Sequence, residues 1–376
     1  MSIKILAYYL PQYHPIPEND KWWGKGFTEW TNVKKAKPLF KGHKQPIYPG
    51  ELGYYDLRNP EIQENQAKLA NEYGVDGFIY YQYWFDTDKM LLEKPAEAML
   101  KNKKVDIPFC FCWANETWKG IWHGMDNDSI LIEQKYNGAN GYKKYFQYLL
   151  PFFKDERYIK IDNKPMFHIY RIQDIPDLNT FLKTFNDLAL QNGFKGIYLV
   201  ATGNEKNEII KFNKDINAVV GLDSFTKMRY GSHFYFNSNN LLGKIERSIK
   251  HRLKSLDTTP IEKRTKPIKI NYKKEIYRLK PEFKTAKYVP CIFPNWDNSA
   301  RSQNKSLIFF NSNPTHWKNH FYDVVKNYLR HKENPPFIVI KSWNEWAEGN
   351  YIEPDAKYGR GWLEAVSTVK KELDLN

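Results

Sequence analysis

The sequence is poor in cysteine and has no long apolar run. Its three cysteines, Cys110, Cys112 and Cys291, form no C-x-x-C pair, so we expect buried, reduced thiols and no disulfide framework. No stretch reaches the roughly 18 apolar residues of a membrane-spanning helix, and the first residues lack the pattern of a secretory signal. These absences predict a cytoplasmic protein.

Motifs for metals and phosphates are also scarce. The sequence has no H-E-x-x-H motif, no Cys/His cluster and no glycine-rich phosphate loop, which are common signatures of zinc and nucleotide sites. We therefore expect no metal and no cofactor. The exceptions are two D-x-D triplets at 86–88 and 126–128, because sugar-nucleotide transferases use this short motif to hold a divalent metal.

Positive charge is concentrated in one segment. The net charge is +14, and residues 227–287 hold 17 Lys and Arg against five Asp and Glu. Residues 241–256 within it have the pattern of a basic amphipathic helix. Such a segment is able to contact an anionic membrane through 241–287, or a pyrophosphate-bearing acceptor. A solvated lysine-rich insertion explains the same pattern and is the more common case. No nucleic-acid-binding module accompanies the charge, so we expect no nucleic acid partner.

Short apolar segments alternate with segments of helical periodicity along the chain. The eight predicted strands are 3–9, 75–81, 108–113, 165–170, 196–201, 218–225, 288–293 and 337–343. The clearest predicted helices are 61–73, 139–153, 178–191, 316–331 and 361–373. Such alternation implies parallel strands joined by right-handed crossovers. We therefore predict an α/β fold, a single (β/α)8 TIM barrel over 1–376, with insertions at about 10–59 and 226–286 after strands one and six.

The predicted strand ends are aromatic and polar, whereas the strand bodies are apolar. Barrel enzymes place their sites at the carboxyl ends of the strands, and a cleft that stacks sugar rings and binds hydroxyls needs these residue types. The expected substrate contacts are Tyr9, Trp84, Trp113, Asn115, Glu116, Tyr170, Trp296, Asp297, Arg301, Trp343, Asn344 and Trp346. For Asp297 and Arg301, an ion pair within the loop is an equal alternative.

The segment SWNEWAEG, residues 342–349, carries two carboxylates three residues apart, Glu345 and Glu348. Glycosidic-bond chemistry usually needs such a pair, one group to donate a proton and one to accept it. The general acid needs a raised pKa, which burial or a like-charged neighbour provides. A plain alternative is the acidic first turn of a helix. Glu116 is a rival partner for Glu345, because carboxylates on different strands can also face each other across a cleft.

Four motifs, at 7–33, 111–118, 293–301 and 342–354, resemble the WbsX-type family. The resemblance runs from about residue 3 to 370. Members are often described as glycosyltransferases, occur in surface-polysaccharide gene clusters, and have a domain similar to glycoside hydrolase family 99, the endo-α-mannosidases. The resemblance implies a carbohydrate-active enzyme in O-antigen (lipopolysaccharide) or capsule synthesis, acting on an oligosaccharide or polysaccharide. The basic insertion would suit a lipid-linked form of this substrate.

The resemblance also implies roles for the two glutamates. In the glycosidase family an N-E-W-x-E-G segment carries both catalytic carboxylates, which correspond to Glu345 and Glu348. Glu345 would act as base on the sugar 2-hydroxyl, giving a 1,2-anhydro sugar. Glu348 would act as acid on the leaving oxygen and then as base on the nucleophile, so stereochemistry is retained without an enzyme-bound sugar.

Several functions stay open at the level of sequence. Hydrolysis and transfer differ only in whether water or a sugar hydroxyl intercepts the intermediate. A metal-dependent sugar-nucleotide transferase that uses a D-x-D triplet is a second hypothesis. A non-catalytic glycan-binding protein is the third.

Overall fold

The computed structural model describes residues 3–120, 129–203, 213–221, 265–277, 287–331 and 333–375. In these residues eight parallel strands form a closed barrel. They are β1 (Lys4–Tyr9), β2 (Gly77–Asp86), β3 (Phe109–Trp113), β4 (Lys164–Ile169), β5 (Tyr198–Gly203), β6 (Ile216–Gly221), β7 (Tyr288–Ile292) and β8 (Phe337–Ile340). The barrel closes because Leu6 of β1 lies opposite Gly77 of β2 on one side and Val339 of β8 on the other. The predicted TIM barrel is confirmed.

Helices connect the strands and cover the barrel. Those of the described residues are α1 (Pro17–Trp23), α2 (Glu29–Lys35), α3 (Pro60–Tyr73), α4 (Lys94–Lys101), α5 (Gly138–Lys154), α6 (Leu178–Gln191), α7 (Tyr272–Ile276), α8 (Ser299–Ser302), α9 (Pro314–Tyr328) and α10 (Gly361–Glu372). Local sequence explains the bounds of α3. The Asn59 side chain accepts a hydrogen bond from the Glu61 amide at 3.1 Å, proline occupies the first turn, and Gly74 ends the helix at a φ of 82°.

Short strand pairs lie outside the barrel. They are Lys89–Leu91 with β2, Lys160–Ile161 with β4, Trp118–Lys119 with Ile130–Ile132, Ile268–Asn271 with Leu307–Phe310, and Asn344–Glu345 with Asn350–Tyr351. The end of the sixth predicted strand, 222–225, and the predicted basic helix at 241–256 lie outside the described residues. No helix in the described ranges is long and apolar enough to cross a membrane.

Neighbouring residues of a strand point to opposite faces, and this alternation decides which side chains can reach the site. Tyr8 points into the barrel, where its ring stacks on Tyr81 at 5.1 Å and its hydroxyl lies 3.3 Å from that of Thr202 on β5. Tyr9 points outward and donates a hydrogen bond to Gln66 of α3 at 2.8 Å. The end of β1 therefore contributes Tyr8, and not Tyr9, to the barrel interior.

The segment after β1 folds over the carboxyl end of the barrel. Trp30 of α2 donates to the Tyr55 carbonyl at 2.8 Å, and its ring lies 5.4 Å from that of Trp346. Tyr13 donates to the carbonyl of Asn344. The predicted first insertion, 10–59, thus packs against the segment that carries the two candidate carboxylates.

Candidate active site

Glu345 and Glu348 converge at the end of β8, each beside a cation. The Lys341 ammonium lies 2.7 Å from both Glu345 carboxylate oxygens and 3.9 Å from Glu348 Oε2. Arg301 donates to Glu348 Oε1 at 2.8 Å and, through Nε, to Glu29 Oε1 at 2.9 Å. The two carboxyl groups also act on each other, because Glu348 raises the pKa of Glu345. The site is therefore a network of two cations and three carboxylates.

Backbone geometry after β8 brings the two carboxylates together. Asn344 and Glu345 form a short strand, and residues Trp346–Glu348 form one turn of 3₁₀ helix that ends at Gly349, which has a φ of 51°. A Cβ at position 349 would lie 2.8 Å from the Asp297 Cβ, so only glycine fits this turn. The acidic first turn of a long helix, the plain alternative, does not occur here.

Asn344 holds this segment to the end of β1. Its side-chain oxygen accepts from the Leu10 amide at 2.7 Å, and its Nδ2 donates to the Leu10 carbonyl at 3.1 Å. The side chain is fully buried. Its side-chain amide is therefore hydrogen-bonded within the protein, so Asn344 has a structural role in place of the predicted sugar contact.

Burial makes the network sensitive to protons. Burial raises the pKa of Glu345 to about 7, although Lys341 opposes the shift, and Glu348 adds to it. Burial also raises the pKa of Glu29, against the opposing effect of Arg301. For Lys341, burial lowers the pKa but the two glutamates outweigh it, so the pKa is raised overall. With all five groups ionised the network carries one excess negative charge, which favours uptake of one proton near neutral pH.

Tyr170 and Glu116 lie at the more open side of the network. The Tyr170 ring meets the Tyr81 ring edge-on at 6.3 Å, and Glu116, Glu348 and Glu345 all raise the pKa of Tyr170 beyond the effect of burial. Glu116 lies 3.3 Å from the Arg171 guanidinium. Burial raises the pKa of Glu116, Arg171 opposes the shift, and Glu348 makes a smaller contribution. The structure thus brings both predicted residues near the carboxylate pair.

Three predicted tryptophans are turned away from the site. Trp343 packs on Phe78 outside the barrel at 4.9 Å between ring centroids. Trp346 stacks on Tyr351 at 3.9 Å and donates to Glu353 at 2.6 Å. Trp113 donates to the Trp84 carbonyl at 2.9 Å. All three indoles are buried and leave no ring face for a sugar. Trp343 and Trp346 support the carboxylate segment from behind, whereas Trp113 packs against α5 and α6.

Three further residues predicted as substrate contacts lie elsewhere in the structure. Tyr9 is buried against α3, as described above. Trp84 points outward and stacks on Tyr145 of α5 at 4.7 Å. Asn115 is buried and accepts from the Arg171 amide at 2.8 Å, so it shapes the loop that carries Glu116. Tyr9, Trp84 and Trp113 lie on the strand face that packs against the helices. The sequence pattern did not reveal which face of each strand points into the barrel.

Asp297 and Trp296 border the network from the loop after β7. The Asp297 amide donates to the Glu348 carbonyl at 2.7 Å, and its carboxylate accepts from His43 and Gln45, both at 2.8 Å. Asp297 therefore positions Glu348 through the backbone. The Lys341 ammonium lies 5.6 Å from the centre of the Trp296 ring, a cation–π distance.

Several residues of the site were missed by sequence reasoning. Lys341 had a usable signal, since it is a lone lysine directly after the apolar strand β8. Tyr81 and Tyr83 lie on the inward face of β2, and Glu345 raises the pKa of both, although burial is the larger cause. Glu29 is contributed by the first insertion and had no signal in the sequence.

The first D-x-D triplet forms a turn at the end of β2. Asp86 lies 3.1 Å from Lys135, and the largely exposed Asp88 lies 3.7 Å from Lys144. The second triplet, 126–128, lies outside the described residues. Within the described residues, no three His, Cys, Asp or Glu side chains are grouped as a metal site would require.

Solved structures share the fold. A GH99 endo-alpha-mannosidase from Bacteroides thetaiotaomicron aligns with a TM-score of 0.56 and 14% identity over 98% of this chain and 97% of its own. A glycoside hydrolase-like protein aligns with a TM-score of 0.56 and 12% identity over 99% and 94%. At such low identity the likeness concerns the barrel fold alone.

Sequence relatives identify the family. Two Xanthomonas campestris pv. campestris proteins, both named uncharacterized protein WxcX, are 32% identical over 365 residues, which is 96% of this chain and 49% of theirs. The chain thus spans about half the length of these curated relatives. The profile of the family described as glycosyltransferase WbsX matches residues 5–366. This match covers nearly all of the sequence, and the chain belongs to the WbsX glycosyltransferase family.

Proposed function

We propose that this chain cleaves or transfers a glycosidic bond with retention of configuration, using Glu345 and Glu348 without a metal, in the synthesis of a bacterial surface polysaccharide. The observation that carries the proposal is the convergence of two carboxylates at the end of β8, with Lys341 beside Glu345 and Arg301 beside Glu348. Barrel enzymes keep their chemistry at this end.

Glu345 is suited to act as the base. In the first step its carboxylate takes the proton of the sugar 2-hydroxyl, the 2-oxygen attacks the anomeric carbon, and the glycosidic bond breaks to leave a 1,2-anhydro sugar. A base works best when its pKa lies near the working pH, and burial raises the pKa of Glu345 to about 7. Lys341, at 2.7 Å from both oxygens, stabilises the ionised form that this step needs.

Glu348 is suited to act as the acid. It gives its proton to the leaving oxygen as the bond breaks, then removes a proton from the incoming water or sugar hydroxyl as that oxygen bonds to the anomeric carbon. Glu345 returns its proton to the 2-oxygen when the three-membered ring opens. Lys341 is 1.2 Å farther from Glu348 than from Glu345, at 3.9 Å against 2.7 Å, and Arg301 is shared with Glu29. Both features leave a charge on Glu348 with less stabilisation from cations than a charge on Glu345, which is the difference that an acid and a base require.

The family name supports transfer to a sugar hydroxyl over hydrolysis. We propose an oligosaccharide or polysaccharide substrate, lipid-linked at a cytoplasmic membrane face, with 241–287 contacting the anionic lipid. Tyr170, Glu116, Trp296 and Arg301 remain proposed substrate contacts, and Tyr81 joins them because it lines the same space.

The test is product analysis with the lipid-linked glycan of the source organism, with and without added nucleotide sugar. We expect Glu348→Gln and Glu345→Gln each to lower turnover by about 10²- to 10⁴-fold while glycan binding is retained. Glu364→Gln is the control, because it removes a carboxylate from an exposed position on α10 that is not a proposed substrate contact. Full activity of Glu348→Gln would refute its role. Activity that needs a nucleotide sugar and disappears with EDTA would favour the metal-dependent transferase instead.

A further inference from the structure

A cavity of about 1270 Å³ lies behind the candidate active site. It is enclosed by residues 40–48 of the first insertion, the strand pair Ile268–Asn271 and Leu307–Phe310, and residues 355–358. Lys341, Glu345, Glu348 and Arg301 are not among its lining residues. The cavity therefore adjoins the space in which the two carboxylates meet, and Trp296, Asp297 and Gly349 lie between the two.

Five lysines line this cavity, and we call it the lysine cleft. They are Lys41, Lys44, Lys269, Lys273 and Lys357. Among the described residues, none of the five forms a salt bridge with a carboxylate. The ammonium groups therefore keep their full charge for a ligand.

The two carboxylates of the cleft are already occupied by protein donors. Asp355 accepts from the Tyr351 hydroxyl at 2.9 Å and the Trp362 indole at 3.0 Å. Asp297 accepts from His43 and Gln45, both at 2.8 Å. Hydrogen bonds from neutral donors do not cancel the charge of a carboxylate, so the two aspartates offset two of the five lysine charges. The cleft still presents a local excess of positive charge.

Aromatic rings position some of these cations. The Lys269 ammonium lies 4.5 Å from the centre of the Phe40 ring, and the Lys357 ammonium lies 4.1 Å from that of Tyr358, both within cation–π range. Tyr48 also lines the cleft and is 56% exposed. A ligand with a multiply charged anionic group and an attached sugar or other flat apolar face would match both features.

We propose that the lysine cleft is a second binding site, which takes the diphosphate group of a diphosphate-linked glycan. Lysines spread over three chain segments form a set of point charges, which suits phosphate oxygens better than a single sugar carboxylate. The inference rests on the proposed function in one respect, namely that the bound molecule is a substrate of the carboxylate pair.

The cleft shares a wall with the active site. The Asp297 side chain is held by His43 from the cleft, and its amide holds the Glu348 carbonyl at 2.7 Å. Gly349 packs directly on Asp297. Asp297 thus has the proposed diphosphate site on one side and Glu348 on the other. In this proposal a long substrate passes around Asp297 and occupies both sites.

The experiment is a titration of the full chain with inorganic pyrophosphate, measured by isothermal titration calorimetry at two salt concentrations. We expect saturable 1:1 binding that weakens with salt. Lys269→Gln/Lys273→Gln should weaken binding at least tenfold. Both residues are exposed, so the fold should persist, which thermal unfolding checks. The matched control is Lys68→Gln/Lys143→Gln, which removes the same charge from exposed positions outside the cleft.

The outcomes separate the possible ligands. Tighter binding of a nucleoside diphosphate or of a short prenyl diphosphate supports the proposal and tells which source supplies the diphosphate. Absence of saturable binding, or equal weakening in the control variant, overturns it. Binding of an oligogalacturonate in place of pyrophosphate also overturns it. Glu348→Gln should bind pyrophosphate normally, so a failure of the proposed catalytic role and a failure of the cleft are distinguishable.

Discussion

Removal of the Lys341 charge should shift the pH dependence of the reaction. In the proposed mechanism Glu345 must be ionised before it can take the sugar proton, and its pKa is about 7. Lys341 stabilises the ionised form from 2.7 Å. In Lys341→Met that stabilisation is lost, so the pKa of Glu345 rises and the rising limb of the rate–pH profile moves to higher pH.

The size of the effect follows from the geometry. Two unit charges about 4 Å apart interact by roughly 4 kcal/mol at an effective dielectric constant of about 20. Water and Arg301 compensate in part for the lost ammonium, so we take the net loss of stabilisation of ionised Glu345 as roughly 3 kcal/mol. This loss raises the pKa of Glu345 by about two units. At pH 7 the ionised fraction of Glu345 then falls from about one half to about one hundredth, so kcat should fall about fiftyfold. Activity should recover near pH 9.

Lys370→Met is the control for loss of a buried lysine. Lys370 is as buried as Lys341, and its ammonium lies 2.9 Å from Asp76, just before β2 and thus at the opposite end of the barrel. The Lys370→Met variant should be less stable in thermal unfolding but should keep the rate–pH profile of the parent protein. A Lys341→Met enzyme whose profile stays in place would show that Lys341 does not set the ionisation of the base.

Two further changes test the same network. Glu29→Gln leaves Arg301 to Glu348 alone, so the cation stabilises the charge of Glu348 more strongly and makes it a poorer proton donor. We expect kcat to fall about tenfold, and an unchanged kcat would contradict the sharing of Arg301. Burial raises the pKa of Glu353 to about 7, so the folded protein binds more protons than the unfolded chain above about pH 4.5, and stability must fall as pH rises through 7. Glu353→Gln should flatten this fall in urea unfolding measured from pH 5 to 8, and an unchanged slope would exclude Glu353 as its source.

The barrel could be predicted because burial patterns are local. Strands such as Phe337–Ile340 are continuous apolar runs, as expected when both faces are covered. The bounds of α3 follow from Asn59, Pro60 and Gly74, which act within a few residues. The Glu345 and Glu348 pair was predicted from residue types and from family resemblance, and the structure brings the two side chains together.

The partners of that pair could not be predicted, because they come from distant segments. Glu29 is linked to Glu348 because both bind Arg301, and Glu29 and Arg301 are 272 positions apart in the sequence. The tryptophans were misplaced for a different reason. A strand alternates between two faces, and only the packed barrel decides which face is the interior, so Trp113 and Trp343 looked like sugar platforms in the sequence although both lie in the outer layer.

Closure of the barrel between β1 and β8 has a consequence for biosynthesis of the protein itself. Leu10 and Asn344, whose hydrogen bonds hold the carboxylate segment, are 334 positions apart. A ribosome makes the first of them long before the second, and contacts of such separation form late in folding. A nascent chain therefore has no assembled carboxylate pair until the segment with Glu345 and Glu348 has been synthesised, and a chain that stalls before this segment lacks both groups.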